Sequence, residues 1–190
     1  MTQLSRLLDE MESQPERITK LAGAERLLKT AVDLFFEDGD MLSIHVLSSA
    51  AHEVLHVLLK KERKLTSFMK DIDLVIRSIK IKKYHDIIHH TQNFLKHGAK
   101  DHNAKLEYYK AETPFWIFDA IQMYAQLTGS QKYKVFALFV LWFRLEHKEV
   151  FDEQALTEML KHAPTDAQFV KDNYEGMLED PNQIWLAQLS

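Results

Sequence analysis

Apolar residues recur along this chain at intervals of three and four and never settle into strict alternation, and only five glycines and four prolines interrupt 190 residues. That spacing puts apolar side chains on one face of a helix, whereas a half-buried strand needs a period of two. Few breakers mean long elements. One helix is expected from about Pro15, which suits a first helical turn, to about Glu37. Leu21, Leu27, Leu28, Ala31, Leu34 and Phe35 form its apolar side, and "EDGD" breaks it. Further helices are expected over about 41–61, 65–79 and 82–97, the last ending at Gly98 as a C-cap. "TPF" starts another, with Thr113 as N-cap and Pro114 at the first helical position, and "LTGSQ" ends it. The next contains "VFALFVLWF" at 135–143, apolar nearly all round and therefore expected at the centre. Two shorter helices, about 152–162 and 165–178, are separated by Pro164. The pattern predicts a single all-α domain. Four or five core helices form an antiparallel bundle over about 15–147, and extra C-terminal helices make an acidic extension over about 148–190.

Composition narrows the classes further. At 46% apolar and 27% charged, the chain is globular rather than disordered in type. With no cysteine there is no disulfide framework, no thiolate metal site and no cysteine nucleophile. The start, "MTQLSRLLDEMESQPER", lacks the basic end and apolar run of a signal peptide. The 135–143 run is far short of the roughly 20 residues a membrane span needs. A cytoplasmic protein with no membrane partner is the expectation. Net charge is −4, so no global field attracts nucleic acid. The charges are nonetheless uneven: nine basic and three acidic residues lie from 60 to 83, against three basic and ten acidic from 146 to 190. The basic stretch reads as a phosphate-binding face or as a solvated helix surface.

Two groups stand out among the ten histidines. His45, His52 and His56 are spaced seven and four apart and share one helix face. His52, Glu53 and His56 also match H-E-x-x-H, in which two histidines one turn apart hold zinc and the glutamate activates water. That pattern admits a metal-dependent hydrolase or a metal-binding helical protein, with zinc or iron. Against it, no strand is available to align a peptide and no third ligand follows at a family spacing. Glu53 and His56 form the E-x-x-H of di-iron bundles, yet no second copy exists. The competing reading is a helix whose histidines sit at the core boundary and hydrogen-bond to neighbours. In the second group, His85 and His89 are one turn apart and His90 and His97 two turns apart, so His89 or His90 could complete a site across two helices.

"AERLLKTAVDLFFEDGDMLSIHVLSSAAHEVL", a long helix, a turn and a helix rich in small residues, is followed after an intervening helix by "TQNFLKHGAKD". Over 24–128 this resembles the HEPN superfamily of small helical bundles, and also a group of uncharacterised bacterial proteins. The superfamily signature is an Arg, then a polar residue that is often Asn, with a His four to six positions after the Arg. Members that keep it include metal-independent ribonucleases, and others bind nucleotides or proteins. The resemblance makes Asn93 the polar residue and His97 the motif histidine, and implies RNA or nucleotide as partner and a homodimer with its motif helices together. It departs from the family at Gln92, which stands where the Arg would be. Arg offers a permanent charge and a planar fork to the scissile phosphate, and Gln offers one neutral amide, so little activity is expected. Lys96, stacked one turn from Gln92, can supply a point charge. Two other uses stay open. Asn93 and His97 could simply secure a helix end, or the chain could be an interaction module whose apolar helices and acidic tail bind a protein.

Overall fold

The computed structural model describes residues 15–62, 90, 91, 93–95, 103–129, 133–151, 164 and 166–179. Among these, every regular element is helical and none is a strand. The elements are α1 (Lys20–Phe36), α2 (Met41–Lys61), α3 (Thr113–Thr128), α4 (Lys134–Glu146), α5 (Ala167–Asp172) and α6 (Tyr174–Glu179), with helical residues also at 90, 91 and 93–95. The all-α bundle expected from periodicity is the observed class. The expected helices over 65–79 and 152–162, and the Gly98 cap, lie outside the described residues.

Helix α1 begins at Lys20 rather than at Pro15. Thr19 decides this, because its Oγ1 accepts the Ala22 N–H at 3.1 Å and so supplies a side-chain cap that Pro15 cannot. At the other end Asp38, not Gly39, takes the left-handed conformation (φ 54°), and the Gly39 N–H closes on the Leu34 carbonyl at 2.8 Å. Asp40 then caps α2, accepting the Ser43 N–H at 2.8 Å and the Ser43 hydroxyl at 2.7 Å. These two bonds hold the exposed Asp40 carboxyl below its ordinary pKa. Such a short turn returns α2 antiparallel to α1.

Thr113 does not act as the N-cap of α3. It is already helical, and the chain enters α3 through the 3-10 turn Lys110–Glu112 with no side-chain cap. Its hydroxyl is engaged in a tertiary network instead and cannot also cap. Helix α3 ends where expected, at Gly129, whose φ is +68° and whose N–H bonds to the Ala125 carbonyl at 2.8 Å. A Cβ there would meet no neighbour, so Gly129→Ala isolates the conformational cost of the left-handed region. Thermal unfolding should show a loss of about 1 kcal/mol. A Tm equal to wild type would contradict that geometry.

Helix α4 is central. Every residue from Val135 to Phe143 is buried, and the helix packs on α1, α3, α5 and α6. Phe139 and Trp142 meet Phe35 edge-on at 5.0 and 4.5 Å between ring centres, and Phe143 stacks on Phe118 at 4.3 Å. Glu25 accepts from Tyr124 at 2.8 Å and from Tyr133 at 2.5 Å, tying α1 to α3 and to the start of α4. The single helix expected over 165–178 is two short ones, and at their junction the Phe169 carbonyl accepts both the Asn173 backbone N–H at 3.1 Å and its side-chain amide at 2.9 Å. Tyr174 stacks on Phe36 at 5.0 Å, which holds this end of the chain against α1. By length and composition α2 could cross a membrane. Here it packs against α1 and α3, with Ser48, Ser49, His45 and His52 buried.

Candidate functional site

Helices α2 and α3 meet along a polar seam. Tyr108 bonds to Met41, His45 to Thr113 and His52 to Asp119, so residue numbers rise together and the two helices run parallel. A tight turn could not produce that arrangement, and the long segment between them can. The face that carries His45, Ser48, Ser49 and His52 is turned into the bundle, and all four are buried.

His52 Nε2–H donates to Asp119 Oδ2 at 2.7 Å, and both residues are nearly inaccessible (0% and 2% exposed). Trp116 lies edge-on to the His52 ring at 4.7 Å and excludes water from that side. A hollow of about 300 Å³ walled by Phe115, Phe118, Phe143 and Phe151 lies beside Asp119. Asp119 is the only charged residue in "TPFWIFDAIQMYAQLT". A lone carboxylate on so apolar a helix is the signal that a buried partner exists.

Two turns away, the hydroxyl donors and acceptors fix the tautomer of His45. Tyr108 gives its single proton to the Met41 carbonyl at 2.7 Å, so at 2.6 Å it accepts from Thr113. Thr113 has then spent its proton and accepts, at 3.2 Å, from His45 Nδ1–H. Nε2 of His45 therefore carries a lone pair, and it is buried without a hydrogen-bond partner among the described residues. Burial pushes the His45 pKa down to about 4, so the ring is neutral.

The metal reading required His52, Glu53 and His56 to converge on an ion. His52 Nε2 is bound to Asp119 instead, and the His52 and His56 rings stack nearly parallel with centres 6.5 Å apart. Among the described residues no group of three or more His, Asp or Glu side chains converges as a metal needs. His85 and His89 lie outside the described residues.

For the "QNFLKH" stretch, Asn93 is exposed on the helical turn at 93–95, while Gln92, Lys96 and His97 lie outside the described residues, as does the basic segment from 63 to 83. The same stretch of helix contributes His90 and Thr91 to a cleft of about 500 Å³, whose other described lining residues are Glu107, Tyr109 and Glu112. Sequence reasoning did not single out those three, since a polar connection carries no periodicity to mark them. Tyr109 is 61% exposed. Glu112 is half-buried, and burial raises its pKa while the nearby His90 opposes the rise. Compared with models of known families, with curated proteins and with solved structures, the chain matches none.

Proposed function

We propose that this chain is a HEPN-like module that binds RNA or a nucleotide, with ribonuclease activity residual at most because Gln92 replaces the motif Arg. The observation that carries the reading is the cleft of about 500 Å³ beside the helix of the motif-like stretch, one turn from the exposed Asn93 and bearing the exposed ring of Tyr109. An exposed aromatic next to a groove is the usual platform for an unstacked base. Phosphate contacts are assigned to Lys96 and to the basic stretch from 60 to 83, and the polar contacts of the motif to Asn93 and His97. A bacterial cytoplasmic setting and a homodimer with paired motif helices belong to the same reading and follow from the resemblance.

Anisotropy of a short labelled single-stranded RNA tests it. Binding should weaken steeply between low and moderate salt, because each phosphate contact releases counterions. Replacing Asn93, Lys96 and His97 together by alanine should weaken binding by about tenfold or more. Absence of binding at low salt, or indifference to the triple replacement, would overturn the reading. Gln92→Arg restores the family pattern and should raise RNA cleavage if the motif geometry is intact; no gain leaves binding alone.

A further inference from the structure

We infer that the cleft at His90, Thr91, Glu107, Tyr109 and Glu112 is a nucleobase pocket selective for guanine, an assignment that rests on the nucleotide-binding reading above. The described lining residues include two carboxylates and no Lys or Arg. The two carboxylates favour a part of the nucleotide rich in hydrogen-bond donors over its phosphate. A base with its sugar fits a cleft of this size, since small-ligand sites run from roughly 300 to 1,000 Å³.

Base chemistry then discriminates. An ionised carboxylate only accepts, and it accepts best from two parallel N–H groups. On its Watson–Crick edge guanine offers two adjacent donors, N1–H and N2–H. Adenine and cytosine each set one donor beside an acceptor, and uracil sets its one N–H between two carbonyls, so a carboxylate meets a lone pair at its second oxygen. Glu112 is the better placed reader of the two glutamates. It is half-buried, which strengthens a hydrogen bond made there, and it accepts no hydrogen bond within the described structure. Its pKa, raised by burial, would be brought back down by two guanine donors. Tyr109 supplies the stacking face and Glu107 a second acceptor at the rim.

Titrating the full-length chain with the four nucleoside 5′-monophosphates tests this. Guanosine monophosphate should bind at least about tenfold tighter than the adenosine, cytidine or uridine compounds, as expected for one well-made donor–acceptor pair. Glu112→Gln presents one acceptor beside one donor, so it should abolish the guanine preference while leaving adenosine monophosphate binding equal or stronger. Tyr109→Ala should weaken all four by about tenfold, and Tyr109→Phe should not, which separates stacking from folding defects. Equal affinities for the four compounds, or a guanine preference that survives Glu112→Gln, would overturn the assignment while RNA binding stands. Spermidine displacing the nucleotide in a Glu112-dependent way would reassign the cleft to an organic cation. Failure of RNA and of every nucleotide to bind would remove the nucleotide reading itself.

Discussion

His52→Leu should lower the free energy of unfolding by about 3–5 kcal/mol, the cost of removing one partner of a buried carboxylate–imidazole hydrogen bond. The Asp119 carboxylate would remain at the α2–α3 interface, 2% exposed, without the imidazole N–H that lies 2.7 Å from it. Asp119→Leu should cost less, about 1–3 kcal/mol, because it removes the carboxylate itself and takes from the imidazole only one hydrogen-bond acceptor. The double variant His52→Leu/Asp119→Leu should recover much of the loss, since leucines of similar volume need no partner. Urea unfolding of the four proteins, read by circular dichroism, closes the cycle. A His52→Leu loss below about 1 kcal/mol, or an Asp119→Leu loss that exceeds it, would show that the pair does not hold the seam as described.

Acid should destabilise the protein through His45. Its folded pKa of about 4 lies below the ordinary 6.5, so between those values the unfolded chain binds a proton that the folded chain does not. Stability therefore rises with pH across that window, is complete above about 6.5, and is lost as pH falls toward about 4. The difference amounts to about 3 kcal/mol. His45→Asn places an amide donor where Nδ1–H was, so it keeps the bond to Thr113 while removing the titration. Its unfolding free energy should fall less steeply from pH 6.5 to 4 than that of the wild type, by up to about 1.4 kcal/mol per pH unit. Parallel pH profiles for the two proteins would contradict a neutral, buried His45.

Much of the fold is legible along the chain. Alanines, leucines and phenylalanines at three and four announce α1, and the unbroken run at 135–143 announces a helix with no solvent face. Helix ends are less legible where two side chains compete. Thr19 and Pro15 can both start α1, and only the hydroxyl makes a bond. Thr113 has the right chemistry to cap α3, yet His45 and Tyr108, which lie 68 and 5 positions away, claim its hydroxyl.

The histidines mark the same boundary more sharply. Spacing alone places His45, His52 and His56 on one face of α2, because 3.6 residues per turn is a local property of the backbone. It cannot say what that face looks at. A zinc ion, solvent and Asp119 are all compatible with H-E-x-x-H, and the parallel packing of α3 selects the carboxylate at 2.7 Å. Likewise Glu107, Tyr109 and Glu112 line a cleft only by standing beside His90 and Thr91. Helices, their apolar faces and the class of the fold follow from interactions within a few residues, so the sequence by itself determined them. Which polar groups on those faces become partners depends on side chains as far as 68, 99 and 108 positions apart, and only the tertiary structure decided it, since burial compels each polar group to find whichever partner the packing brings near.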